Sequence, residues 1–227
     1  MIAPAAKISS ALTRADREGF AAFLLRLRSS GFTNKPLETA IESVPRRVFA
    51  DPSHHNAVWS SRMLPIECGE VLEGLDQQAM MLDRLELDPE HRVLEIGTGS
   101  GFTAAVMSKL VKRVHTVERF RRLHAQANGI FKQLHIDNVI GVHGDGAEGA
   151  QPGSGPFDRI ISWAAFDALP KGFVEQLSSG GKIICAVGEA DQMQILVRLT
   201  KVGSRFERED IGKVRMQMIR PGLPQTL

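Results

Sequence analysis

Tyrosine is absent from the 227 residues, and cysteine and tryptophan occur only twice each. Without a phenol, no tyrosine serves as an acid, a base or a hydrogen-bonding stacking partner. Cys68 and Cys185 are too few for a disulfide framework or a zinc cluster, and as free, buried or half-buried thiols they suit a reducing cytosol. Charge of one sign is also lacking, since 28 Lys+Arg against 26 Asp+Glu leaves +2. That excess is too small for a strong non-specific hold on nucleic acid or anionic lipid. Long hydrophobic runs are missing too: the first thirty residues mix Ala and Leu with Lys7, Arg14, Asp16, Arg17 and Glu18. Nothing there serves as a signal segment or membrane span, and a cytoplasmic location is expected.

What is present is ordinary globular composition, 43% hydrophobic and 24% charged. A chain of this length buries about 70% of its unfolded surface, enough for a core without staples. Two zones are legible, 1–90 and 91–227, expected to form one compact domain overall. In the first, the spacing of Leu12, Phe20, Phe23, Leu24 and Leu27 predicts a helix from Ile8 to Ser30 that ends at Gly31. Pro36 opens a second helix through Ile41 to Val44, Pro45 interrupts it, and Asp51 to Ser61 reads as a loop. Met80, Met81, Leu82 and Leu85 suggest a third helix, approached through Asp76.

From Arg92 short apolar runs alternate with helical stretches. Strands are predicted at Arg92–Ile96, Val114–Glu118, Asn138–Val142, Arg159–Ser162 and Lys182–Val187. Helices are predicted at Ser100–Val111 and Arg119–Leu134. Gln194–Thr200 and Val214–Ile219 are read as a closing hairpin around Gly203. The alternation predicts an α/β fold: a doubly wound, mostly parallel seven-stranded sheet under a helical N-terminal cover.

The most informative segment is Glu95-Ile-Gly97-Thr-Gly99-Ser-Gly101, at the junction of the first strand and first helix. Glycines there let the backbone turn sharply and a ligand approach the helix N-terminus. The spacing is not a dinucleotide fingerprint, because Phe102 stands where the third glycine is needed, and no Gly-Lys-Ser/Thr follows to make a P-loop. Glu118 ends the second strand, where a carboxylate can accept both ribose hydroxyls of a nucleoside. Gly144-Asp145-Gly146 brings a second carboxylate to the same crevice. A ligand with a ribose and no long phosphate tail, such as S-adenosylmethionine, fits these residues.

Val93-Leu-Glu-Ile-Gly-Thr-Gly-Ser-Gly101 resembles the first motif of class I S-adenosylmethionine-dependent methyltransferases. Val44-Pro-Arg-Arg-Val-Phe49 and Leu64-Pro-Ile66 narrow the resemblance to the protein-L-isoaspartate O-methyltransferase family. Similarity continues through Val117-Glu118, Gly144-Asp-Gly146, Phe157-Asp-Arg-Ile-Ile161 and Leu177-Ser-Ser-Gly-Gly-Lys-Ile183. The resemblance implies six parallel strands with a reversed seventh, a Rossmann-like methyltransferase sheet, and an acceptor-side segment within 1–90. It implies Gly97, Thr98 and Gly99 under the methionine part of the cofactor, Glu95 close to its ammonium end, Glu118 at the ribose and Asp145 with Gly146 at the adenine, with Gly101, Arg119 and Ser162 also among the cofactor-binding residues. The implied activity is methyl esterification of L-isoaspartyl carboxylates in damaged proteins, with no metal.

The pattern departs on the acceptor side. Where the family has Gly-x-Thr-Ile-Ser-x-Pro, this chain has Gly69-Glu70-Val71-Leu72-Glu73-Gly74-Leu75, which puts Glu73 at the position of the serine at the methyl-transfer centre. After the fourth strand the family's Thr-Ala-Ala becomes Trp163-Ala-Ala165. An ionised Glu73 about 4 Å from an acceptor carboxylate would repel it by roughly 4 kcal/mol at an effective dielectric near 20. Protonation removes the conflict, as does turning away to pair with Arg62 or Lys35. Two readings compete with the isoaspartyl one: the same fold with another acceptor, small molecule or RNA, and a cofactor binder without catalysis. Ser162 to Ala165 does not resemble the Asn/Asp-Pro-Pro-aromatic element of nucleobase amino-methyltransferases, and no proline precedes a cysteine. A nucleic acid acceptor is therefore disfavoured. His54-His55 reads as a loop pair, and Arg119, Arg121 and Arg122 as a solvated helix start.

Overall fold

The computed structural model describes residues 13–224, so the expected helix start from Ile8 to Leu12 lies outside the described residues. Helix α1 (Arg14–Ser29) opens on a capping box, in which Thr13 Oγ1 accepts from the Asp16 N–H and Asp16 Oδ2 accepts from the Thr13 N–H. It buries Phe20, Phe23 and Leu27, each worth about 1.5–3 kcal/mol of transfer free energy. Helix α2 (Lys35–Ser43) is capped by Asn34, carries Pro36 in its first turn and stops before Pro45. Two 3₁₀ turns follow, Arg46–Phe49 and Pro52–His54. Strands β1 (Leu64–Pro65) and β2 (Val71–Leu72) pair antiparallel as a small ribbon.

Helix α3 (Leu75–Arg84) starts a turn earlier than Met80 suggests. Gly74 is its N-cap and lies so close to the chain that a Cβ there would fall 2.1 Å from the Ser61 carbonyl oxygen. The chain then runs through β3 (Arg92–Ile96), α4 (Phe102–Met107), β4 (Arg113–Glu118), α5 (Arg121–Gln133) and β5 (Val139–His143). It continues through β6 (Phe157–Phe166), α6 (Lys171–Gln176), β7 (Leu177–Val187), β8 (Gln194–Val202) and β9 (Arg205–Val214).

The seven-stranded sheet has the order β5-β4-β3-β6-β7-β8-β9. Neighbours from β5 to β7 are parallel, whereas β8 is antiparallel to both β7 and β9. Six strands therefore run one way, as expected, but the reversed strand is the sixth along the chain rather than the last. Strands β8 and β9 are joined by the two residues Gly203-Ser204, with Gly203 at φ +59°, the backbone a tight primed turn requires.

The hairpin partner of β8 is Arg205–Val214, not the expected Val214–Ile219. Its sequence is mostly charged because β9 is an exposed edge, and edge strands carry charge that blocks further pairing. That charge masked it as a strand. Residues 216–219 instead cross the sheet's carboxyl end. Ala165 N–H donates to the Gln217 carbonyl at 2.8 Å, and Ile219 N–H to the Ala165 carbonyl at 2.8 Å.

Alternation along the strands sends Val93, Ile161, Ile184 and Leu196 to one face and Leu94, Ile160, Ile183 and Val197 to the other. The first face meets α1 to α5 in one continuous cluster, so the cover and the sheet share a core. The second face carries a thinner layer including Phe173 of α6 and Leu177. Among the described residues no helix is long and apolar enough to cross a membrane.

Candidate active site

Strands β3, β4 and β6 deliver their carboxyl ends to one place, and the order reverses between β3 and β6. Ligands of open α/β sheets bind at such a switch point. Immediately after β3, Gly97, Gly99 and Gly101 adopt φ of +87°, +53° and +91°, a region that L side chains rarely enter. Gly97 and Gly99 face a crevice also walled by Glu118, Arg119, Phe120, Asp145 and Gly146. Gly101 is turned the other way. A Cβ there would lie 2.8 Å from Phe131 Cζ, so its glycine serves the approach of α5 rather than a ligand.

Glu118 is 4% exposed. Its Oε2 accepts from the Gly99 N–H at 2.8 Å and its Oε1 from the Phe120 N–H at 2.9 Å. These bonds fix the carboxylate at the crevice wall while each oxygen keeps a further lone pair. Asp145 accepts from the Ala147 N–H at 2.9 Å and from the Gly222 N–H at 2.5 Å. The C-terminal segment is thereby latched over the crevice, contributing Gln217, Met218 and Arg220 to its wall. Arg119 adds a buried Nε with no hydrogen-bond partner among the described residues.

Three expected contact residues are set back from the wall. Glu95 is fully buried and accepts from Thr103 Oγ1 (2.5 Å), Thr116 Oγ1 (2.7 Å) and Trp163 Nε1 (2.9 Å). Burial pushes its carboxyl up to about 7 despite those three hydrogen bonds. It holds the Trp163 indole rather than facing a ligand. Ser162 is also fully buried, and its hydroxyl bridges the N–H and carbonyl of Ala164. Between Ile161 and Ala165 the register of β6 against β7 slips. A bulge of this kind re-aims the side chains beside it, and Trp163 lines the crevice. Gly101 is the third, for the packing reason given above.

A smaller cavity shares the Gly97, Gly99 and Trp163 walls and adds Glu73, Thr98 and Ser100. Thr98 Oγ1 is 2.5 Å from Thr116 Oγ1. Glu73 is 8% exposed, and burial pushes its carboxyl up to about 7. Neither suggested partner reaches it: Lys35 pairs with Glu38, and Arg62 is exposed.

Sequence reasoning missed the group that holds this cavity in shape. Arg46 is 1% exposed and donates to the Val58 carbonyl (2.6 Å), Gln78 Oε1 (2.6 Å) and the Glu73 carbonyl (3.1 Å). Its guanidinium also lies 4.2 Å from the Phe102 ring centroid. The signal was Val44-Pro-Arg-Arg-Val-Phe49, whose first arginine is the buried one. Elsewhere Arg122 pairs with Glu67 (2.8 Å), and His55 Nε2 lies 3.0 Å from the Arg47 carbonyl. Among the described residues no cluster of His, Cys, Asp and Glu could hold a metal ion.

The protein-L-isoaspartate(D-aspartate) O-methyltransferase family model matches residues 6–219. The chain belongs to that family. It is 43% identical to the protein-L-isoaspartate O-methyltransferase of Rhizobium meliloti (strain 1021) over 187 residues, covering 82% of this chain and 91% of the relative. Identity to the Azorhizobium caulinodans protein of the same name is 39% over 215 residues, 95% of this chain and 99% of that one. A solved protein-L-isoaspartate O-methyltransferase superposes with a TM-score of 0.77 at 26% identity, over 88% of this chain and 65% of that longer chain. A beta-aspartate methyltransferase from Plasmodium falciparum, solved with S-adenosyl-L-homocysteine, shares the fold at a TM-score of 0.76 and 22% identity, over 88% and 97%.

Members of the isoaspartyl methyltransferase family are enzymes that take their methyl group from S-adenosylmethionine, and this chain is one of them. Its crevice suits that group. A fixed carboxylate with free lone pairs matches a ribose diol, two positive-φ glycines allow close approach, and the orphaned Arg119 Nε is a donor awaiting an acceptor.

Proposed function

We propose that this chain methyl-esterifies L-isoaspartyl carboxylates of damaged proteins or peptides, with donor and acceptor meeting between the two cavities. Glu118 accepts from the ribose hydroxyls, and Asp145 with Gly146 flanks the adenine. Gly97, Thr98 and Gly99 pass beneath the methionine part. Arg119 supplies a donor beside Glu118, while Glu95, Gly101 and Ser162 shape the walls from behind. When bound, S-adenosylmethionine supplies an electrophilic methyl group on a sulfonium.

The chain's own task is alignment, because in-line displacement needs the acceptor oxygen, the methyl carbon and sulfur held in one row. A carboxylate acceptor is already ionised at neutral pH, so no general base is required. Trp163 stands in the wall common to both cavities, held by its bond to Glu95, and fixes the boundary across which the acceptor must reach. Two free cysteines, Cys68 and Cys185, support a reducing compartment such as the cytoplasm.

The observation that carries this reading is the carboxylate of Glu118, tied by the Gly99 and Phe120 N–H groups at the switch point. The test is transfer of radiolabelled methyl to an isoaspartyl peptide beside its normal aspartyl twin. Label should enter the isoaspartyl peptide alone and leave in mild base, as a methyl ester does. Base-stable label, or equal labelling of both peptides, would refute the assignment.

A further inference from the structure

Of the five acidic residues that are buried among the described residues, Glu73 differs from the rest. Asp16 and Glu38 are paired with arginines, and Glu95 and Glu118 accept hydrogen bonds. The Glu73 carboxylate has neither an ion pair nor a hydrogen bond among the described residues, although it is only 8% exposed. It opens onto the smaller cavity beside the glycine turn. A second unpartnered group shares that wall: Ser100 Oγ is buried with no hydrogen-bond partner among the described residues. Buried polar atoms left open at one cavity mark a place for a polar ligand.

We propose that the Glu73 carboxyl, carrying its proton, donates a hydrogen bond to the acceptor carboxylate, with the Ser100 hydroxyl as a second donor. This rests on the function proposed above and names the group that recognises its acceptor. An ionised glutamate only accepts and would repel a second carboxylate. A protonated one forms the short, strong bond of an acid–carboxylate pair that shares a single proton.

The surroundings favour the protonated form. Burial alone pushes the Glu73 carboxyl up to about 7. On its own segment the nearest charge is Glu70, also raised by burial and then by Glu118. From the 3₁₀ turn, the Arg46 guanidinium reaches the Glu73 carbonyl and makes no ion pair with its carboxylate. The groups facing the cavity from α3, the glycine turn, β6 and the C-terminal segment are Gln78, Thr98, Ser100, Trp163 and Gln217, all uncharged. Arg119 and Arg220 act on Glu70 instead.

No proton has to move. The acceptor oxygen that bonds to the methyl carbon carries none, the carbon–sulfur electron pair stays on sulfur, and the Glu73 proton stays where it is. An acceptor carboxyl ionises near pH 3.5–4, so the ionised acceptor and the protonated Glu73 coexist between about pH 5 and about 7. Above that range Glu73 ionises and binding weakens.

The experiment is the pH profile of kcat/KM on one isoaspartyl peptide for the wild type, Glu73→Gln and Glu73→Ala. Wild-type activity should fall about tenfold per pH unit above about 7. Glu73→Gln keeps a donor that does not titrate, so it should stay within about threefold of wild type at pH 6 and remain flat to pH 9. Glu73→Ala should lose at least about tenfold at pH 6, the scale of one hydrogen bond to a charged group. A second readout needs no turnover. Binding of the same peptide with S-adenosylhomocysteine present, followed by calorimetry at pH 8 in buffers of different ionisation enthalpy, should take up about one proton in wild type and none in Glu73→Gln. Esterification with a flat wild-type profile and no proton uptake would overturn the donor role and leave the proposed function standing. Loss of all activity in Glu73→Gln, with a wild-type rate that rises above pH 7, would show that the ionised form is needed and that the pocket takes a cation. No esterification by any form at any pH would overturn the proposed function and the donor role together.

Discussion

Glu118 is assigned two jobs, which a substitution and a ligand analogue together can separate. It already accepts two backbone N–H bonds, from Gly99 at 2.8 Å and Phe120 at 2.9 Å, and it is assigned two more from the ribose. Glu118→Ala removes all four. Stranding the two N–H groups costs about 1–3 kcal/mol each if no water replaces the carboxylate, so the ligand-free protein should lose about 2–6 kcal/mol. Lost bonds to a charged acceptor cost about 1.5–3 kcal/mol, so affinity for S-adenosylhomocysteine should fall roughly tenfold to a hundredfold. A weakened glycine turn could lower affinity by itself, and an analogue lacking both ribose hydroxyls resolves this. Calorimetric titration of both ligands against both proteins gives a double cycle. The analogue should bind the wild type at least about tenfold more weakly than the parent compound, yet bind Glu118→Ala as well as the parent does. Equal losses on removing the hydroxyls in both proteins would show that Glu118 only braces the turn, and the ribose assignment would fail.

Arg46→Met should destabilise the protein by about 3–5 kcal/mol in urea unfolding, since it leaves Gln78 Oε1 and two carbonyls without a donor; Arg46→Lys should rescue little, because an ammonium cannot match a forked guanidinium. Gly101→Ala should cost about 2–4 kcal/mol from its positive φ and the Phe131 overlap, with little change in cofactor affinity. Gly99→Ala should instead show its main effect in the affinity titration, because Gly99 lines the crevice. Glu73 and Glu95 both rise from 4.5 to about 7 on folding, so each contributes stability that is complete below about pH 4.5 and lost as pH rises through about 7. The loss is of the order of 3 kcal/mol per group, and Glu95→Gln should flatten its share of the decline in melting temperature across that range.

The parallel strands were legible because a strand buried on both faces is a short apolar run, and Arg92–Ile96 and Lys182–Val187 are such runs. Strand β9 was not, because an exposed edge does not need an apolar pattern. Helix α6 has six residues and one buried side chain, Phe173, too little to show a period. The path of residues 216–219 depends on the Ala165 backbone about fifty positions upstream, and nothing local to Met216 or Gln217 encodes that contact. Arg46 is a similar case. Its partners lie at Val58, Glu73 and Gln78, and a sequence pattern reports a buried arginine only as one more charge.

The glycine motif shows why the position of a site is easier to read than the direction of its side chains. Seven consecutive residues from Glu95 to Gly101 serve two masters. Gly97 and Gly99 take up positive φ at the crevice wall and leave it open. Gly101 is glycine because Phe131 packs where its Cβ would be. Glu95 is acidic at the end of a strand that leads to the site, yet its two oxygens are taken by two threonines and an indole. Its effect on the reaction therefore passes through Trp163, which it holds in the wall shared by both cavities. Trp163 and Glu73 are two of the departures from the family pattern, beside Val71 and Leu75, and both line the smaller cavity. An aromatic wall on one side and a buried, unpaired carboxyl on the other replace a threonine and a serine hydroxyl. Two neutral donors have thus given way to a pocket whose polarity depends on one proton, and the pH of the medium becomes part of how the acceptor is recognised.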